Sequence, residues 1–245
     1  MTTLIKLEIV RALRNKKFLF FSVIYPAALY LLIAGGADDK PLPGMQLNMP
    51  LYYMVSMAAF GAMTAVLLGN SERIAKERES GWVRQLRLTA LPGRGYVAAK
   101  IASAAVVSLP SILLVMIVAA AVKGVRLDAW QWIAIAVGTW LGSFVFAALG
   151  VAIGYLATGD AVRPISMLLF FALAFLGGLW MPMTLLPQWV QNISEWLPTH
   201  AYAALGAAVE VGTAPHVKDM AILAGYLLIF AGGAAWLYRK DTRKA

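Results

Sequence analysis

The sequence predicts an all-α membrane protein with six transmembrane helices. Three observations predict it. Six long apolar stretches are separated by short connections, the chain is 61% hydrophobic but only 13% charged, and its basic residues crowd one side of those stretches. A bilayer core takes about 20 apolar residues per helix. The stretches fall at about 18–36, 51–70, 98–122, 131–156, 164–181 and 219–238. An even number of spans puts both termini on one side. Seventeen basic residues lie there: Lys6, Arg11, Arg14, Lys16 and Lys17, the run from Arg73 to Lys100, Arg163, and the tail from Arg239 to Lys244. The other side carries only Lys40, Lys123, Arg126 and Lys218. The positive-inside rule therefore predicts cytoplasmic N- and C-termini. Residues 1–37 share a basic start and an apolar run with signal peptides, but the run is long for one and its removal would leave an odd span count. No polar stretch is long enough to fold alone, so residues 1–245 are expected to form one membrane domain.

The elements follow in order. Residues 2–16 suit a short amphipathic helix at the cytoplasmic interface, with Ile5, Ile9, Ala12 and Leu13 on one face and Arg11 and Arg14 on the other. Pro26 in span one and Pro110 in span three each remove a backbone hydrogen bond and predict kinks. Ser108 and Ser111 flank Pro110 and are placed to satisfy freed carbonyls. Span two is expected to continue as helix into the cytoplasm, because Glu72 with Lys76 and Arg73 with Glu77 have helical pairing distances. Gly81 then bends the chain. Trp82, Val83 and Leu86 form a small apolar face among charges, suited to docking on a soluble partner, and Leu91-Pro92-Gly93 turns back toward span three. In span four, Gly138, Gly142, Gly150 and Gly154 make two GxxxG pairs around Phe146, which favour close helix packing within the bundle, with a dimer contact as the sharper alternative. Residues 182–218 are too apolar for a free loop and too interrupted to span. They suit extracellular re-entrant or interfacial helices, with Trp189 and Trp196 at the headgroup level and a small-residue helix from Tyr202 to Val211.

Several function classes are excluded. A net charge of +9 suggests nucleic acid in a soluble protein, but here the excess sits at the membrane edge, where it meets anionic lipid. The chain has no cysteine and only two histidines, so no metal cluster is expected. It contains neither GxSxG nor HExxH, and no Gly-Lys dipeptide for a phosphate-binding loop. All twelve acidic residues fall at span ends or in loops, unlike the midplane charges of ion-coupled carriers. Any energy for pumping must come from another chain.

The whole chain resembles the permease subunit of ABC-2-type ATP-binding-cassette exporters. The similarity rests on six spans with a basic N-terminal segment. It rests also on the run Glu77-Arg78-Glu79-Ser80-Gly81-Trp82 through Gln85-Leu86-Arg87-Leu88-Thr89, followed by Pro92 and Lys100. The third element is Gly177-Gly178-Leu179-Trp180-Met181-Pro182 with Leu186-Pro187-Gln188-Trp189 and Trp196-Leu197-Pro198. Ala90 departs from the family, which often has proline directly after the threonine.

The resemblance implies a non-catalytic subunit that binds no cofactor itself, with ATP and magnesium on a partner ATPase present in two copies. It implies a coupling helix at about Gly81–Thr89, preceded by Glu77 and Glu79 and including Trp82, Val83, Arg84, Gln85, Leu86 and Thr89. It implies a second permease chain, identical or a sister, in a bacterial inner membrane. By the same likeness spans two and five line the route, with Met54, Met57, Phe60, Met167, Phe170, Phe171 and Phe175 as candidates. Such a wall suits an apolar or amphipathic cargo: a drug, antibiotic, lipid or glycan. Other readings are a self-contained channel or secondary carrier, or a membrane enzyme acting on lipid head groups through Glu195, His200 or Glu210.

Overall fold

The computed structural model describes residues 2–36, 48–82, 93–157 and 159–242. Every regular element among them is helical apart from one isolated bridge residue, Asn48. Helix α1 spans Thr2–Arg14 and α2 spans Lys16–Ala34. Helix α3 spans Met49–Glu79, α4 Gly93–Val122 and α5 Ala129–Leu156. A 3-10 turn leads into α6, Val162–Leu176. The short α7, Gln188–Ser194, and α8, Pro198–Glu210, precede α9, Val217–Thr242. Six of these helices, α2 to α6 and α9, are long and apolar enough to cross a membrane.

Asn15 separates α1 from α2: its backbone leaves the helical region and its side chain accepts from the Phe18 N–H at 3.1 Å. On α1 the buried side chains are Glu8 and Ala12, while Leu13 is 45% exposed. Of the expected apolar face, Ala12 is buried and Ile5 and Ile9 are half-buried, while Leu13 is exposed and Glu8 is buried against Lys100. In α2 the helix widens to π geometry over Phe20–Ile24, and the Tyr25 N–H bonds the Phe20 carbonyl. Pro26 follows directly. Its ring crowds the carbonyl four residues back, and the widened turn accommodates it.

Helix α3 is the centre of the bundle. All side chains from Tyr52 to Leu67 are buried, and a second π stretch at Thr64–Leu68 lets the helix continue to Glu79. Pro110 lies within α4. There Ser108 donates to the Ala105 carbonyl at 2.6 Å, one residue short of the Val106 carbonyl that the proline frees. The buried Ser111 hydroxyl has no hydrogen-bond partner and faces Gly61 instead.

Helix α5 packs against α3 through its glycines. A β-carbon at Gly150 would sit 2.6 Å from the Leu67 carbonyl oxygen, and one at Gly154 would sit 2.8 Å from Ile74. Gly142 lies under the Tyr202 ring of α8, whereas Gly138 faces open space. Three of the four GxxxG glycines therefore serve packing inside the chain, with Phe146 fully buried between them. Span five ends at Leu176 rather than 181, because the chain turns at Gly177-Gly178 and the Leu179 N–H bonds back to Ala174.

Candidate functional site

One end of the bundle gathers α1, the close of α3, the start of α4 and the close of α5 and α9. Lys100 of α4 is the hub. Its Nζ lies 2.8 Å from Glu8 of α1 and 2.6 Å from Glu77 of α3. The Tyr96 hydroxyl donates to the other Glu77 oxygen at 2.8 Å, and Arg73 lies 3.7 Å from Glu8. Lys100 and Glu8 are both buried. Charges removed from water are tolerated only when compensated by near partners, so these contacts fix three helices relative to one another. Arg78 makes a second tie. It donates to the carbonyls of Gly154 in α5 and of Ala157 just beyond its end, at 3.0 and 3.2 Å, and pairs with Asp241 of α9 at 2.9 Å.

The helical pairs expected from spacing are replaced by these partners. Arg73 donates to Asn70 at 3.2 Å and faces Glu8, Glu77 turns to Lys100, and Glu72 meets Arg163 at 3.6 Å. A buried partner across the bundle outweighs a solvated one a turn away, which is worth only about 0.3–0.5 kcal/mol.

The segment expected to couple starts next to this clasp. Glu77 belongs to it, Glu79 is exposed at the helix end, and Gly81 terminates α3 with φ +72°, where a β-carbon would be strained. Trp82 follows, and the Arg11 guanidinium lies 5.0 Å from its ring. Val83, Arg84, Gln85, Leu86 and Thr89 lie outside the described residues.

Beside the clasp is a cavity of about 430 Å³ between α1, α2, α3 and α6. Of the route candidates, it brings together Phe60, Met167, Phe170 and Phe171. Met54 and Met57 are fully buried in the core, and Phe175 is 43% exposed away from the cavity. The remaining aromatic wall is Phe18, Phe21 and Tyr25 of α2. Their spacing at i, i+3 and i+7 places them on one helix face, a signal present in the sequence but not among the residues it nominated. Deeper in, Phe60 packs edge-on against Phe170 at 4.9 Å and against Trp180 at 5.4 Å. The Tyr53 hydroxyl donates to the Trp180 carbonyl at 3.3 Å, and the Tyr52 hydroxyl donates to the Gly178 carbonyl. The turn after α6 is thereby held onto α3.

At the opposite end of the bundle Gln131 donates to the Val209 and Glu210 carbonyls at 2.9 and 3.1 Å, holding the end of α8. Glu210 itself is buried with neither carboxylate oxygen hydrogen-bonded, and burial pushes its carboxyl well above the usual range. A separate surface hollow is lined by Glu195, His200, His216, Lys218 and Asp219. Burial lowers the His200 imidazole, with Asp219 and Glu195 opposing that shift. Glu195 pairs with Lys218 at 3.0 Å, which lowers its carboxyl. Glu210 does not line this hollow, so the three residues considered for an enzyme do not converge.

Comparison with known proteins decides the class. The signature of a family described as "ABC-2 family transporter protein" matches residues 37–238. A relative, the "Putative transport permease YvfS" of Bacillus subtilis (strain 168), is 30% identical over 234 residues, 96% of this chain and 95% of that one. The chain belongs to the ABC-2 transporter family. It is an ABC-2 membrane permease, a non-catalytic transporter subunit and a multi-pass membrane protein with six candidate spans. Membership in the ABC-2 family implies partnership with an ABC ATPase.

Proposed function

We propose that this permease is the membrane half of an ATP-driven exporter of the bacterial cell membrane. It moves apolar or amphipathic cargo (a drug, antibiotic, lipid or glycan) out of the cytoplasm. Two permease chains work with two ATPase subunits, and ATP and magnesium bind on the ATPases. Both termini, the clasp and the cavity mouth are cytoplasmic, while α7 and α8 are re-entrant helices of the outer side. Supporting this orientation is the excess of lysine and arginine at the termini end.

The observation that carries the reading is Arg11. It lines the cavity and also stacks on Trp82, the residue that leads into the coupling segment. Closure of the ATPases pushes the Gly81–Thr89 segment. The push passes through Trp82 and the Glu77–Lys100–Glu8 clasp to α1 and α4, and reshapes the cavity. Phe60, Phe170 and Trp180 close the route outward, and cargo leaves when the shift parts them.

The test is purification from native membranes through a tagged C-terminus. An ATPase of about 25–35 kDa, the size of one compact soluble subunit, is expected in equal amount, with ATP hydrolysis in the eluate. Recovery of the permease alone under conditions that keep membrane complexes intact contradicts the reading and points to a self-contained channel or carrier.

A further inference from the structure

The cavity is two-faced. Its floor is aromatic, with the buried Phe60 and Phe170 deepest, the more exposed Phe171 beside them, and Phe18, Phe21 and Tyr25 along one wall. Its rim carries Arg11, Lys17, Arg73, Lys76 and Arg163 against the single acid Glu72. A positive-inside bias requires cations somewhere at that end of the bundle. It does not require five of them, from four helices, around one apolar hollow. Three of the five are engaged within the chain: Arg73 with Glu8, Arg163 with Glu72 and Arg11 with Trp82. Lys17 and Lys76 are exposed and make no ion pair among the described residues. They are long, flexible point charges at the cavity lining, one on α2 and one on α3.

We propose that the cavity binds an amphiphile with an anionic head group, phosphate or carboxylate. Lys17 and Lys76 hold the head, and the chain lies against Phe18, Phe21 and Phe171. This proposal rests on the exporter reading and names the chemical class of its cargo. A free inorganic anion would leave the aromatic floor uncovered, and a neutral amphiphile would leave two cations unanswered at the edge of a low-dielectric hollow, where charge complementarity counts most. The volume of about 430 Å³ suits a single tail or a compact ring system with a head at the mouth.

The experiment uses the permease with its co-purified ATPase, in discs of phosphatidylcholine and without nucleotide. Tritiated octyl phosphate is the probe, displaced by unlabelled octyl phosphate, octyl glucoside or octyltrimethylammonium. Octyl phosphate is expected to displace about tenfold more strongly than the other two. The double variant K17Q/K76Q erases that preference while octyl glucoside binding stays within about twofold, and F171A weakens all three. A preference that survives K17Q/K76Q overturns the proposal, since the anion is then adsorbed elsewhere. Absence of probe binding also overturns it. In that case cysteines placed at 17 and 171 report whether a second copy of the chain fills the cavity, by crosslinking the copies. ATP-driven uptake of the same three amphiphiles into inside-out vesicles separates the two levels. Equal uptake of all three keeps the exporter and removes the head-group site. Selective binding with no ATP-driven uptake does the opposite.

Discussion

At the end of the bundle that carries both termini, Glu8 is buried within 2.8 Å of Lys100, in a cluster with Glu77, Arg73 and Tyr96. At the opposite end, Glu210 is also buried, but it has no ion pair among the described residues and no hydrogen-bond partner on either oxygen. The first arrangement keeps its charges by compensating them and, in doing so, joins α1, α3 and α4. In the second, burial favours the protonated carboxyl over the charged one. The difference teaches where stress can pass through this molecule. A compensated cluster resists separation of its helices, so movement imposed on one is felt by the others. A carboxyl with no charged partner exerts no such hold, and the end of α8 is secured instead by the bonds from the Gln131 side chain to its backbone carbonyls.

The comparison breaks most sharply at Lys100. Replacing it with Met leaves the buried Glu8 and the partly buried Glu77 without their nearest cation, and we expect a loss of about 3–5 kcal/mol. Thermal unfolding of the purified complex measures it. Adding Glu8→Gln and Glu77→Gln to Lys100→Met recovers most of the loss; failure to recover would show that packing, not charge, sets the cost. Next in size is Gly150→Val, where the added carbon meets the α3 backbone at Leu67. Overpacking there costs about 1–3 kcal/mol, and no release by surface repacking is expected because the obstacle is main chain.

Glu210 sharpens the other side of the comparison through pH. Its carboxyl is raised in the folded protein by burial, while in the unfolded chain it titrates near the ordinary value of about 4.3. Its stabilising contribution is therefore fully present below that value. It is lost as pH rises toward the folded pKa, because the unfolded state releases the proton first. Melting curves should fall with rising pH above that point in the native protein and fall less in Glu210→Gln. Parallel curves would mean the carboxyl is solvated. The smallest effect is at Trp82→Ala, which removes the Arg11 stacking worth about 0.5–1 kcal/mol. It should lower stability slightly yet reduce ATP-driven transport more, since the proposed route of coupling passes through this contact.

Hydropathy and charge located the spans well, because each is a local property of about 20 residues. The continuation of span two to Glu79 was legible from its mixed-charge helical spacing, and the inward role of Gly142, Gly150 and Gly154 from their period. Lys100 was legible as a cation closing the family-like run, but not as a hub joining three helices. Its partners stand 23 residues away at Glu77 and far earlier at Glu8, and no local pattern joins them. The same holds for the cavity. Phe60 and Phe170 came from the family likeness, whereas Lys17, Phe18 and Phe21 read as the edge of a span until α2 was seen against α3 and α6. The early end of span five was written in Gly177-Gly178, but hydropathy alone runs through it.

The central claim is that work enters through the segment after Gly81 and reaches the cavity by way of the clasp. Its most direct test is Leu86→Asp in the complex with its ATPase, followed by amphiphile uptake into inside-out vesicles with and without ATP. The account predicts normal insertion and continued ATP hydrolysis, with ATP-driven uptake abolished. Uptake equal to that of the native complex would contradict it.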